Sequence, residues 1–141
     1  AGGQYLDLTL ENRGLSKKKI IDIQNKKTGK LFAFCCESAG IIREQNSKKR
    51  KILRKIGHDI GLLFQIADDL IDFKEDSQNI RKTTKIYKNG GKPTLINLLG
   101  YKETLVFANN LKNKINKKIK NYGIKSYDLL QSVEFILDRK F

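Results

Sequence analysis

At 141 residues the chain is long enough to fold as one domain, or part of one, with a sizeable core. Its 29 Lys and Arg against 15 Asp and Glu give a formal net charge of +14. The excess is mostly Lys, spread along the chain among abundant Asn and Ile, and no zinc-finger spacing or aromatic RNP pattern accompanies it, so a nucleic-acid partner is not expected. No apolar run approaches the roughly 20 residues of a membrane span, and no signal-peptide pattern is present.

The chain opens on AGGQYLDL without a Met, and it contains no Met anywhere, so it is expected to be the later part of a longer protein. Ser16 has the chemistry of an N-cap. One long helix is predicted after it, from Lys17 to Gly40, with Ile20, Ile23, Leu31 and Phe34 among its apolar positions. Cys35 and Cys36 are adjacent and lack the spacing of a metal or redox pair, so they are expected to be reduced, packed core thiols of a cytoplasmic protein. A second long helix is predicted from near Ser47 to near Asp76. The polar, basic stretch SQNIRKTTKIYKNGGK then reads as a loop. Pro93 suits a first helical turn, which predicts a short helix over Thr94 to Leu99. Tyr101 to Tyr122 is predicted as a helix stopped by Gly123. Ser126 is expected to cap the last helix, which carries Leu129, Leu130, Val133, Ile136 and Leu137. No strand alternation or internal repeat interrupts this pattern, so the fold class is all-α, with helices long enough for a bundle.

The stretch GLLFQIADDLID, residues 61–72, concentrates the chemistry. At about 100° per residue, Gly61, Gln65, Asp68, Asp69 and Asp72 share one arc, and Ile60, Leu63, Ala67, Leu70 and Ile71 share the other. Asp68 and Asp72 at i,i+4 repel by a few tenths of a kcal/mol unless screened by water or a cation. A solvated polar face and a cation site are both open on spacing alone. Gly61 costs the helix about 1 kcal/mol against Ala, so its place on the acidic arc is expected to let something approach closely. His58 lies one turn earlier, where a lone His is expected to be a surface or satisfied residue.

With these elements laid out, the chain resembles the C-terminal half of trans-isoprenyl diphosphate synthases of the farnesyl or geranylgeranyl type. FQIADDLID matches the family's FQxxDDxxD motif at Phe64, Gln65, Asp68, Asp69 and Asp72. KTGKLF matches KTxxLF at Lys27, Thr28, Leu31 and Phe32, and GGQYLD matches the segment before it at Gly2, Gly3, Gln4 and Asp7. Lys82 and Lys92, at successive intervals of ten residues beyond Asp72, match the two lysine positions of the family's loop. FILDRKF, with Arg139, resembles the family's C-terminus. Arg81, where the family has Gly, Tyr87, where it often has Asp, and Lys30, where it has a small residue, depart from the pattern.

The resemblance implies a helical bundle of the isoprenoid synthase type, present over residues 1–141 as the C-terminal part of one polyprenyl synthetase domain whose first aspartate-rich motif lies upstream. It implies a cytoplasmic homodimer that condenses an allylic diphosphate with isopentenyl diphosphate to a longer trans-prenyl diphosphate of ten, fifteen or twenty carbons. Three Mg²⁺ ions are implied for the intact enzyme, one on the Asp68 side, with Asp69 and Asp72 holding its waters or orienting the shell. Lys27 and Lys82 would contact the allylic diphosphate, with Lys92 assisting. Gln65 and Thr28 would either place dipoles near the allylic cation or hydrogen-bond between helices, and Phe64 is expected to belong to the core. The competing reading is a non-catalytic synthase-like subunit or fragment. In either reading, residues 1–141 alone are expected to be inactive and to expose Ile60, Leu63, Ala67 and Leu70.

Overall fold

The computed structural model describes residues 16–79 and 94–138. Lys82, Lys92, Arg81, Tyr87, Pro93, Arg139 and the GGQYLD segment lie outside them, as do nearly all of the predicted loop and the side chain of Lys27. Among the described residues six α-helices run in chain order: α1 (Lys17–Gln24), α2 (Lys30–Ile42), α3 (Ser47–Asn79), α4 (Leu95–Leu99), α5 (Tyr101–Lys120) and α6 (Tyr127–Asp138). A π-helical turn, Asn25–Gly29, joins α1 to α2, and a 3₁₀ turn, Gly123–Ser126, precedes α6. No strand occurs among the described residues, in line with the all-α expectation.

Several boundaries follow from local chemistry. The Ser16 side chain accepts from the backbone N–H of Lys19 at 3.3 Å and starts α1. Asn46 Oδ1 accepts from Lys49 N at 2.9 Å at the head of α3, and Thr94 Oγ1 accepts from Asn97 N at 3.2 Å at the head of α4. The first helical residue of α4 is therefore Leu95, and the helix begins one residue later than the sequence suggests. Glu44 takes φ 52° and reverses the chain between α2 and α3. The end of α5 at Lys120 comes two residues before the Tyr122 that the sequence suggests, and Gly123, with φ 71°, opens the 3₁₀ turn beyond it. Ser126 stands immediately before α6. It is buried in the 3₁₀ turn, and its hydroxyl donates back to the Gly123 carbonyl.

The predicted single helix from Lys17 to Gly40 is interrupted. A π turn takes one residue more than an α turn, and that extra residue rotates everything after it by about 100°. The buried side accordingly passes from Ile20 and Gln24 to Gly29, Ala33 and Gly40. Leu31 and Phe34, apolar positions on an unbroken helix, are each 64% exposed, and Phe32 turns inward against Phe64 with ring centroids 5.7 Å apart. The same rotation corrects the cysteine expectation: Cys36 packs half-buried against the core, whereas Cys35 is exposed. Both thiols are free, and burial, with Cys35 beside it, pushes the Cys36 thiol up.

At 33 residues and roughly 50 Å, α3 is the spine. It packs most extensively on α2, then on α5 and the π turn. Ile56, Leu63 and Ile66 of α3 meet Leu95, Ile115, Ile119 and Val133 in the core. Ile60, Leu63, Ala67 and Leu70 are 4%, 0%, 2% and 6% exposed, so the expectation that they would be uncovered in this chain is overturned. Their partners are α4, α5 and α6, whose apolar stripes lie within residues 1–141. Two polar ties hold this layer in register. Lys118 Nζ pairs with Asp59 at 3.4 Å, and Glu134 takes Lys112 Nζ at 2.8 Å and the amide of Asn116. Among the described residues no helix is long and apolar enough to cross a membrane.

Candidate functional site

The acidic arc of α3 and the π turn face each other. Gln24, the last residue of α1, is 6% exposed and donates from Nε2 to Asp69 Oδ2 at 3.2 Å. A buried polar side chain needs a partner, and this one is a carboxylate of the motif. The Oε1 atom of Gln24 is buried with no hydrogen-bond partner, as is Oδ1 of Asn25 next to it. Lys27 and Thr28 follow in the same π turn, after Lys26. Asp68 and Asp69 are half-buried, Asp72 is exposed, and Gln65 and Thr28 are half-buried. The motif thus grades from packed to open along α3 toward its C-terminal end.

Gly61 behaves differently from its sequence reading. A Cβ on it would lie 2.8 Å from Gly29 Cα and 3.3 Å from Gly29 N. The group that approaches the acidic helix there is the backbone of the π turn, so no room is left at that spot for a ligand. One turn earlier, a Cβ on Gly57 would collide with the backbone of Phe32 and Ala33. The pair Gly57 and Gly61 seats the π turn and α2 directly on α3, and this close packing offsets the helix cost of two interior glycines.

His58 lies between these glycines in sequence, and its Nδ1 would be 3.2 Å from a Cβ on Gly29. Burial pushes its pKa below the ordinary value, with Arg54 and Lys30 adding to the effect and Asp59 opposing it. It is a half-buried, packed residue, as expected of a His outside the motifs. Phe64 packs against the core, also as expected.

The donor set suits a hard cation. Asp68, Asp69 and Asp72 offer carboxylate oxygens along one arc that opens outward. Among the described residues no three carboxylate, imidazole or thiol side chains converge to enclose a metal by themselves. An open arc of carboxylates is chemically compatible with Mg²⁺, which keeps waters and takes substrate phosphate oxygens beside one or two carboxylates. An open cavity of about 480 Å³, lined by Lys48, Lys51, Lys55, Lys118 and Tyr122 among others, contains no motif residue. It lies toward the other end of α3, some 13 residues or roughly 20 Å from Asp68.

Sequence reasoning placed Thr28, Gln65, Asp68, Asp69 and Asp72 on two facing elements, and the structure brings those elements together. It missed Gln24. The signal was present, because a Gln sits one residue after Ile23 on an otherwise apolar stripe and must find a partner there.

Comparison with known proteins agrees with this geometry. The polyprenyl synthetase family model matches residues 1–133. A farnesyl diphosphate synthase of Micrococcus luteus is 34% identical over 136 residues, which is 96% of this chain and 43% of that protein. The structure of an FPP/GFPP synthase from Zymomonas mobilis superposes with a TM-score of 0.80 at 33% identity, over 96% of this chain and 44% of that one. A geranyltransferase of Helicobacter pylori, solved with magnesium and isoprenyl diphosphate, superposes with a TM-score of 0.72 at 26% identity, over 96% of this chain and 45% of that one. The chain spans less than half the length of these relatives. With motifs, helix order and family model in agreement, the chain belongs to the polyprenyl synthetase family, and its fold is the helical fold of isoprenoid synthases.

Proposed function

We propose that residues 1–141 are the C-terminal part of a single polyprenyl synthetase domain, and that the whole protein is a cytoplasmic, homodimeric trans-prenyltransferase. It condenses an allylic diphosphate, dimethylallyl or geranyl, with isopentenyl diphosphate to a longer trans-prenyl diphosphate such as farnesyl diphosphate. The observation that carries the reading is the hydrogen bond from Gln24 to Asp69, which ties the Lys-Thr turn to the acidic arc. It holds the residue at the head of the Lys-Thr turn against the acidic arc, and the charges of the two motifs suit opposite tasks on one diphosphate.

Ionisation of the allylic carbon–oxygen bond releases a diphosphate that departs with a large negative charge. Mg²⁺ held by Asp68, with Asp69 and Asp72 orienting its water shell, would neutralise that charge when bound. Lys27 and Lys82 supply point charges to the allylic diphosphate, and Lys92 assists from the same segment as Lys82. The hydroxyl of Thr28 and the amide oxygen of Gln65 offer preorganised dipoles beside the allylic cation. The Gln24 amide holds one oxygen of Asp69 and fixes the direction of the other. The alkene of isopentenyl diphosphate then adds to the cation, and loss of a proton completes the product.

Substitution at the acidic arc of the complete enzyme tests this reading. Asp68→Ala is expected to lower kcat by about a hundredfold or more, the scale of losing one preorganised charge-stabilising element. Asp72→Ala, at the open end of the arc, should cost less. Small and equal effects at the two positions, with diphosphate binding unchanged, would return the arc to a solvated polar face.

A further inference from the structure

The π turn is clamped at both ends against α3. At one end Gln24 hydrogen-bonds Asp69 at 3.2 Å. At the other, Gly29 lies so close to Gly61 that a Cβ on Gly61 would stand 2.8 Å from Gly29 Cα, about 0.6 Å inside the shortest ordinary van der Waals contact. Both groups at this second clamp are backbone, so neither can swing aside as a flexible side chain would. Between the clamps lie Lys27 and Thr28. A π turn closes on i→i+5 hydrogen bonds and interrupts the α register, so its position depends on what it rests against.

We infer that Gly61 is a positioning residue for prenyl transfer: by having no side chain, it sets how closely the backbone of Lys27 and Thr28 approaches Asp68 and Asp69. The inference deepens the proposed function and rests on it. Gly61 touches no substrate. It acts through Gly29, and any β-carbon at position 61 pushes the Lys-Thr turn outward from the acidic arc. A displacement of about 1 Å at a reacting site costs up to about a hundredfold in rate, and the shift required here is of that order. Gly40 provides an internal control, because a β-carbon there would stand 2.8 Å from Leu53 Cδ1, in the same seam between α2 and α3 but at the far end of α2 from the Lys-Thr turn.

The test uses the complete enzyme with Gly61→Ala and Gly40→Ala. Each variant is assayed at a temperature where denaturant curves show it fully folded, for kcat and for KM of both substrates. Binding of inorganic diphosphate with Mg²⁺ is measured by calorimetry. Gly61→Ala should lose stability, since its new β-carbon faces backbone. It is expected to lower allylic kcat/KM by about tenfold to a hundredfold and to weaken diphosphate binding, with the KM of isopentenyl diphosphate within about twofold of wild type. Gly40→Ala should keep its allylic kcat/KM within about threefold. Equal losses in the two variants, or an unchanged allylic kcat/KM in Gly61→Ala, would overturn the inference.

Should Gly61→Ala fail to fold, Gly29→Ala enters the same seam from the other side. The atoms nearest its β-carbon belong to side chains, Asn25 Oδ1 at 3.1 Å and His58 Nδ1 at 3.2 Å. It is expected to fold with allylic kcat/KM lowered severalfold, and to recover when Asn25→Ala and His58→Ala together make room. A wild-type allylic kcat/KM in Gly29→Ala would overturn the inference. Asp68→Ala, run alongside, separates the two ways of failing. A fully active Asp68→Ala overturns the prenyl-transfer reading, whereas an inactive Asp68→Ala beside an unimpaired Gly61→Ala overturns the positioning role alone.

Discussion

Gln24 Nε2 donates to Asp69 Oδ2 across 3.2 Å and joins two residues 45 positions apart, one on each side of the candidate site. The bond fixes one carboxylate oxygen, and it does so with a side chain whose other polar atom, Oε1, is buried without a partner. Such a bond can act through the orientation of Asp69 or through stability.

Gln24→Leu separates those two properties. A buried hydrogen bond is worth about 1 kcal/mol, but the substitution also removes an unpartnered buried oxygen whose desolvation costs a similar amount. Stability should therefore change by less than about 1 kcal/mol in urea unfolding. Prenyl transfer by the complete enzyme should fall by about tenfold or more, because Asp69 loses a donor that helps to orient it. A large stability loss with unchanged kcat would make Gln24 a purely structural residue.

The two motif lysines should act on one substrate. Lys27→Ala and Lys82→Ala are each expected to raise the KM of the allylic diphosphate or lower kcat, while the KM of isopentenyl diphosphate stays near wild type, since each Lys supplies a point charge to one diphosphate. Steady-state kinetics with each substrate varied in turn checks this. A selective loss of isopentenyl diphosphate binding would move these lysines to the other subsite.

His58 makes stability sensitive to mild acid. Burial, with Arg54 and Lys30 nearby, holds its pKa below the ordinary value, and Asp59 only partly opposes this. Between the folded and unfolded pKa values the unfolded chain binds more protons, so stability rises with pH. The His58 contribution is therefore fully present above the unfolded pKa of about 6.5 and is lost as pH falls through the lowered folded value. Urea midpoints of the wild type should drop on going from pH 7 to pH 5 by more than those of His58→Gln. Equal slopes would place the acid sensitivity elsewhere.

Residues 1–141 alone should show no prenyl transfer with Mg²⁺ and both diphosphates. The three aspartates of the arc lie along one helix, and Mg²⁺ on one or two carboxylates needs phosphate oxygens and further ligands to stay bound. A radiolabelled isopentenyl diphosphate assay on the isolated chain, repeated with the remainder of the synthase added in trans, measures this. Metal-dependent product from the isolated chain would show that the acidic arc and the Lys-Thr turn suffice.

Local chemistry in the sequence determined where most helices begin and end and which side of α3 is acidic. Ser16 and Thr94 are caps because their hydroxyls accept nearby backbone N–H groups. A period near 3.6 sets Ile60, Leu63, Ala67 and Leu70 opposite Asp68, Asp69 and Asp72, although it took the packing of α4, α5 and α6 to cover them. These are relations between residues a few positions apart, and the chain carries them in plain order. The tertiary structure alone decided what an unbroken period hides. The π turn inserts one residue between α1 and α2, turns Leu31 and Phe34 outward, and brings Phe32 onto Phe64. It also settled the purpose of Gly61, which admits Gly29 rather than a ligand, and the partner of Gln24. A π turn is less favourable than the α turn it replaces, so local propensity does not select it. Long-range contacts hold it in place: Gln24 to Asp69, and Gly29 against Gly61.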